Sequence, residues 1–509
     1  MLESSGIDRS GVEAYSSFLF DGSAMLTIHD AAKRGDITQL EQCLAAGLDI
    51  NARTDLKQDY GPYWQGLTPL MVAAGSDEGA TVDTLRWLIA HGADLNAVSA
   101  AGVTAAWYAA GSGLAESSLP PTSISDQAAR LRFLLDAGLK TTVTEAANGI
   151  PLLIQACQVG DPERVKLLLD AGVSIHPCAR RTRPQHSYPG QPPNQWEDQP
   201  WSFEIPLFGA VESGSIECVG LVLAAGVDPN VRDSNGVTPI MQASNWAIFQ
   251  QLLAAGADPQ VVDYYDRDVL QHLISTPDSE TQFSIAELRA VVALGFDVNA
   301  ILKYDNWTRL YVAAFDQDVV AIERLLKLGA DFTLGRPPLS GLCWHYNRDY
   351  SETIARGMEL LIVAGCDVNA QDAAGDTLLH NASLGYSHAI NENCFNSSSD
   401  GGNVTAVLTL LKHGAMPDPV GSGGYTPLMN AAQECSAPAI AALVEAGADP
   451  HRRNAEGLTA KDMVAAQIVF LTQAKDNPEN SGEMRSHYEK AYQDAIICAH
   501  LLGVASRDK

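Results

Sequence analysis

One phrase, a leucine-rich run closed by Ala-Gly or a near variant, returns along this chain at uneven intervals. It reads Cys-Leu-Ala-Ala-Gly at 43–47, Leu-Ile-Ala-His-Gly at 88–92, Leu-Leu-Asp-Ala-Gly at 134–138 and again at 168–172, Val-Leu-Ala-Ala-Gly at 222–226 and Leu-Leu-Ala-Ala-Gly at 252–256. Later copies close at Gly295, Gly329, Gly365, Gly414 and Gly447, with a degenerate one at Gly503. The leucines supply the buried stripe of a helix, and glycine takes the left-handed conformation that ends one. Asp, then Val-Asn or a relative, often follows, as in Ala93-Asp94-Leu95-Asn96-Ala97 and Cys366-Asp367-Val368-Asn369-Ala370. Such residues shape turns. A chain of 509 residues exceeds the roughly 250–300 residues at which a single core stops growing. The recurrence therefore predicts small units that bury their faces only against their neighbours.

A second phrase lies downstream of these glycines: Gly66-Leu-Thr-Pro-Leu-Met71, Gly236-Val-Thr-Pro-Ile-Met241 and Tyr425-Thr-Pro-Leu-Met429. Looser copies are Thr104-Ala-Ala-Trp107, Ile150-Pro-Leu-Leu153, Ile205-Pro-Leu-Phe208, Thr308-Arg-Leu-Tyr311 and Thr377-Leu-Leu-His380. Thr in this position caps the free N–H groups of a helix, and Pro at the first helical position sacrifices no hydrogen bond. The two alternating phrases together resemble the ankyrin repeat, whose signature is Thr-Pro-Leu-His-x-Ala at a period of about 33 residues. His is mostly replaced here, chiefly by Met, which bears on local hydrogen bonding rather than on the fold.

The resemblance implies an all-α ankyrin-repeat solenoid. Successive closing glycines are 45, 46, 34, 54, 30, 39, 34, 36, 49, 33 and 56 residues apart, so the intervals near the period are plain repeats and the longer ones carry insertions. About eleven repeats plus a capping unit are expected, as an array over 26–470 preceded by a poorly defined segment, 1–25. Residues 471–509 are read as an insertion and a C-terminal capping unit. Arg53–Gln65 and Pro177–Phe203 fall in the finger loops ahead of the Thr-Pro-Leu phrase. Ser112–Gln127, Thr276–Ser284, Leu384–Asn403 and Thr472–Tyr488 fall between the two helices of a repeat.

Composition narrows the function. With 33 basic and 61 acidic residues the formal net charge is −28. Such a surface repels phosphate and disfavours nucleic acid; it favours solubility and steers basic partners, although most of these carboxylates need be nothing more than a solvated surface. No apolar stretch is long enough for a membrane helix, and no basic region precedes the short apolar Ser17-Phe18-Leu19-Phe20, as a secretory signal requires. A cytoplasmic monomer is the expectation. The nine cysteines form no Cys-x-x-Cys pair; Cys43, Cys157, Cys218 and Cys498 fall in helix-like apolar runs, as reduced thiols of a core do. Four Asn-x-Ser/Thr sequons (Asn306, Asn381, Asn396, Asn403) mean nothing without export.

Members of the family bind through finger residues flanking the turn glycine and through the residues after Ala-Ala in the first helix. The finger slots hold Trp64 beside Gly66, Tyr264 and Tyr265 beside Asp266, Trp307 after Asn306, and Tyr425 after Gly424. The first-helix slots hold Trp246, after Ala243-Ser244-Asn245, and Phe315, after Ala313-Ala314. Aromatics of this kind dominate binding hot spots, while the same side chains in a finger also serve to pack neighbouring repeats. The Pro/aromatic finger 177–203 adds Trp196 and Trp201 near Arg180-Arg181-Thr182-Arg183, and these either contact a partner or fold back on the repeats. His176, Cys178 and His186 match no zinc spacing, so no metal is assigned. Cys343-Trp344-His345 reads as core or loop. No P-loop, Gly-x-Gly-x-x-Gly after a strand, His-Glu-x-x-His or Gly-x-Ser-x-Gly is present, and neither enzyme nor cofactor is expected. The leading expectation is a stand-alone protein-binding module, a scaffold or adaptor; the alternative is an inhibitor or immunity-type regulator that occludes a basic enzyme or toxin.

Overall fold

The computed structural model describes residues 28–54, 65–100, 102–111, 124–140, 152–175, 205–275, 283–302, 306–343, 351–372, 374–384, 403–476 and 482–503. These residues form helices joined by turns, and β-type pairing among the described residues is limited to isolated antiparallel bridges such as Ile301 with Thr308. The N-terminal segment 1–25 and the finger 177–203 lie outside the described residues. So do Trp64, Trp196 and Trp201.

The chain divides into two compact units, with the division at residues 274–284. In the first unit, Ile28–Arg34, Pro69–Ala74, Ala105–Ala110, Leu152–Val159, Pro206–Glu212 and the 3-10 turn Pro239–Gln242 pack each on the next. A second layer, Val82–Ala90, Ile124–Asp136, Pro162–Asp170, Ile216–Ala224 and Trp246–Ala254, stacks in the same order. The second unit repeats the plan. Its first helices are Arg309–Phe315, Pro338–Cys343, Leu378–Ser383, Pro427–Gln433 and Ala460–Asp476. Its second helices are Ile285–Val292, Val319–Leu328, Ser351–Ala364, Val404–Lys412, Ala437–Glu445 and Gly482–Leu501.

The local chemistry explains both layers. The Thr68, Thr308 and Thr426 hydroxyls accept from the backbone N–H three residues on (3.4, 3.2 and 3.3 Å). Second helices begin on Asp36, Asp161, Ser215, Asn245, Asp318 or Asn403, each accepting from a first-turn N–H. They close on glycine at positive φ, as at Gly447 (φ +102°), where a Cβ meets nothing within 4 Å; the backbone conformation, not room, demands glycine there.

Two side-chain devices tie repeat to repeat. Buried arginines of second helices reach the carbonyls ending an earlier first helix, which helix geometry leaves without partners. Arg130 donates to Ala73 O (2.7 Å) and Ser76 O (2.6 Å), Arg164 to Gly111 O (2.7 Å) and Arg324 to Ile274 O (2.9 Å). The turn asparagines form the second device. Asn51, Asn230 and Asn369 donate to the closing glycine carbonyls of the next repeat, Gly92, Gly256 and Gly414 (3.1, 3.0 and 3.3 Å). Their side-chain oxygens accept from Asp94, Asp258 and Met416 N–H (2.8, 2.7 and 2.8 Å).

One expected insertion takes another form. Thr472–Asp476 continues the helix Ala460–Asp476, and the helix Gly482–Leu501 runs through Tyr488, so the described part of Thr472–Tyr488 lengthens two packed helices instead of forming a loop.

Candidate protein-binding surface

The fingers are knotted by aspartate. In the finger 263–268 of the first unit, the Asp263 carboxylate accepts from the N–H of Tyr265 (2.8 Å) and Arg267 (2.9 Å), and pairs with Arg267 Nε (2.7 Å) and His272 Nε2 (3.1 Å). Its side chain is 0% exposed. Burial pushes this carboxyl upward, but the hydrogen bonds from His272 and Arg267 outweigh it and hold the group below the ordinary carboxylate range. A buried charge with this many donors is a rigid mount. Asp233 and Asp372 serve their own fingers in the same way, each accepting from two backbone N–H groups.

That mount sets two adjacent tyrosines to different tasks. Tyr264 N–H donates to Asn235 O (3.0 Å), and its ring lies so close over Gly236 that an added Cβ there stands 2.7 Å from it. Tyr264 is therefore a packing contact between fingers. Tyr265 points outward, 62% exposed, with the Arg267 guanidinium 5.2 Å from its ring centre. Asp266 carries φ +59°, the left-handed position that glycine holds in the fingers at Gly66 and Gly236.

In the second unit, Trp307, Tyr311 and Phe315 form a ladder along one face of the finger and the first helix. Ring centres are 4.9 Å apart for Trp307–Tyr311 and 5.1 Å for Trp307–Phe315. Trp307 and Phe315 are half-buried, Tyr311 is buried, and Ile301, bridged to Thr308, is exposed beside them. The Trp307 indole N–H is buried without an acceptor. Tyr425 is half-buried against Gly423, and its carbonyl accepts from His380 Nε2 (3.1 Å). His380 Nδ1 in turn accepts from Thr377 N–H (3.0 Å), and burial keeps this imidazole neutral by lowering its pKa. This is the signature His doing its work in a copy that keeps it; His29 does the same in the first repeat, its Nε2 donating to Leu67 O (3.0 Å). Met71 and Met429 fill the equivalent slot as core side chains.

Trp246 is not on a first helix. It opens the second helix Trp246–Ala254, where Asn245 caps Ile248 N–H (3.0 Å), and its ring stacks on Phe249 (5.3 Å) and meets Phe283 edge-on (6.3 Å). It belongs to the packing of the outer layer. Of the aromatics chosen from sequence, Tyr264 and Tyr265 thus share one finger, and Trp307 and Phe315 share one cluster. Tyr311 and Trp107 were missed, although both stand four residues after the finger turn in the slot that holds His380. Trp107 is half-buried on Ala105–Ala110, edge-on to Tyr108 at 5.2 Å. The spacing of Trp307, Tyr311 and Phe315 at successive helical turns was the available signal.

Repeated helical hairpins with aspartate-knotted fingers define a class that the comparisons confirm. The chain belongs to the ankyrin-repeat family: the model for ankyrin repeats in three copies matches residues 28–117, 153–263 and 353–454, more than half of the sequence. The chain is 22% identical over 387 residues to E3 ubiquitin-protein ligase KEG of Arabidopsis thaliana, a match covering 72% of this chain and 21% of the ligase. It is 33% identical over 107 residues to the 2-5A-dependent ribonuclease of Mus musculus, covering 21% of this chain and 11% of that enzyme. The matched region is thus 21% of the one relative's length and 11% of the other's. The ankyrin repeat domain of human ASB11 matches with 20% identity and a TM-score of 0.35, covering 52% of this chain and 98% of that domain. Ankyrin repeats are in general protein–protein interaction modules, and no described helix is long and apolar enough to cross a membrane.

Proposed function

We propose that this chain acts as a scaffold or adaptor that holds a partner protein against its fingers and first-helix face. One observation carries the reading: Tyr265, a large aromatic, is presented to solvent from a finger whose base is fixed by a buried carboxylate and four donors. A rigid aromatic with one polar handle loses little entropy on binding and suits an anchor. Trp307, Phe315 and Ile301 supply a second, more apolar contact, and Tyr425 flanks a third finger. The net charge of −28 favours a basic partner. The same charge supports a second reading, an inhibitor that occludes a basic enzyme, which differs in binding one partner stoichiometrically instead of several. A monomer acting in the cytoplasm fits both.

Affinity capture from native lysate with the wild-type chain and with Tyr265→Ala tests the proposal. Recovery of the captured partner should fall about tenfold, as loss of a hot-spot aromatic worth roughly 1.4 kcal/mol implies, while the melting temperature stays unchanged because the ring is exposed. Equal recovery by the two chains would remove Tyr265 from the binding surface.

A further inference from the structure

Three second helices of the first unit, Val82–Ala90, Ile124–Asp136 and Pro162–Asp170, keep one register against their closing glycines. Six residues before the glycine each carries a cation: Arg86, Arg132 and Lys166. Nine residues before it the outer two carry acids, Asp83 and Glu163, whereas the middle helix carries Ala129. The short side chain leaves a groove of about 300 Å³ on this layer, lined by Val82, Ala129, Arg132, Phe133, Asp136 and Glu163. Its floor is apolar, with Val82 and Phe133 half-buried. The arginines beside it are already neutralised. Arg86 pairs with Asp83 and holds its guanidinium 5.5 Å from the Phe133 ring centre, and Arg132 pairs with Glu163 at 2.8 Å. The Asp136 carboxylate is exposed and has no partner among the described residues. An apolar floor thus ends on one uncompensated negative charge.

We propose that this groove receives a lysine side chain from a basic segment of a partner protein, the methylene stem lying on Phe133 and Val82 and the ammonium reaching Asp136. The volume lies at the lower end of small-molecule pockets, which run from roughly 300 to 1,000 Å³. It suits one long side chain better than a cofactor. Lysine supplies both halves of the match, an apolar stem that covers nonpolar surface and a charged head that stays at the rim. Arginine fits less well. Its flat guanidinium gains most by stacking on a ring, and Arg86 already lies over Phe133. The net charge of −28 draws a basic segment from solution, and Asp136 then selects where one of its cations settles. The groove is built on second helices and not on the fingers, so it stands or falls independently of Tyr265.

A fluorescein-labelled nonapeptide of alternating lysine and alanine, titrated against the full chain and read by anisotropy, tests the groove. Asp136→Asn should weaken binding about fivefold, the upper end of what a solvent-exposed ion pair supplies. Asp170 closes the same Leu-Leu-Asp-Ala-Gly phrase one repeat on, is also exposed, and lies outside the groove lining. Asp170→Asn therefore removes the same charge and should leave the affinity unchanged. Ala129→Glu should weaken binding although it adds negative charge, because its side chain fills the groove. Ala129, Asp136 and Asp170 are all exposed, so the three variants should melt like the wild type. Replacing each peptide lysine by norleucine keeps the stems, removes the ammonium groups and should abolish binding. No binding by the wild-type chain, equal effects of Asp136→Asn and Asp170→Asn, or undiminished binding by Ala129→Glu would overturn the proposal. So would a norleucine peptide that binds as well, which marks an apolar occupant, or a loss of binding on Tyr265→Ala, which places the peptide on the finger.

Discussion

Arg164→Met should destabilise the first unit by about 3–5 kcal/mol, the cost of breaking a buried ion pair on one side. Arg164 is 1% exposed; its Nε pairs with Asp161 (2.9 Å) and its Nη1 closes the end of Ala105–Ala110 through Gly111 O. Methionine fills comparable volume but supplies no donor. The Asp161 carboxylate then stays behind, about nine-tenths buried and without its cation, and a helix-end carbonyl loses its partner. Arg132 is the internal control. It pairs with Glu163 at 2.8 Å, a shorter distance, but both side chains are more than half exposed. Arg132→Met should therefore cost less than about 1 kcal/mol. Chemical denaturation of the two variants decides the matter: equal effects would show that burial is not what gives the Arg164 pair its value.

Gly236→Ala should cost about 2–4 kcal/mol, combining the penalty of a left-handed alanine with overpacking. The φ of +77° disfavours any Cβ, and the Cβ would stand 2.7 Å from the Tyr264 ring. The ring must move, and with it the finger that carries Tyr265, so partner binding should weaken along with stability. Gly447→Ala separates the two contributions, since its φ is also positive but its Cβ meets open space. That variant should show only the conformational part, about 1–2 kcal/mol. If the two alanines prove equally costly, the contact of Tyr264 with Gly236 contributes nothing.

Legibility in the sequence followed how local the chemistry was. The Thr caps and closing glycines were readable because each acts within one turn of its own residue, as Thr68 does on Met71 N–H. Trp246 was placed on the wrong helix because Met241-Gln242-Ala243-Ser244 imitates the first-helix phrase of its neighbours. The clue lay in the interval of 30 residues from Gly226 to Gly256, below the period of about 33. The shortfall is absorbed by the first helix, which shrinks to the 3-10 turn Pro239–Gln242. The burial of Arg130 and Arg164 was invisible for the opposite reason. Both stand eight residues before a closing glycine and read as surface charge, whereas their partners lie 53–57 residues away in an earlier repeat. Tyr264 and Tyr265 are adjacent and chemically identical. Only the finger fold separates the one that packs from the one that is offered to solvent.

The asparagine ties give each unit a mechanical character. Asn51, Asn230 and Asn369 make the same pair of bonds to the next repeat, yet those bonds span 41, 26 and 45 residues of chain. A pull along the backbone loads nearly identical fasteners that enclose unequal lengths of slack. Repeats held this way give way at similar force but pay out different lengths, up to about 3.5 Å for every residue released. Insertions that leave the resting stack undisturbed therefore decide how far the chain extends when a tethered partner is drawn away.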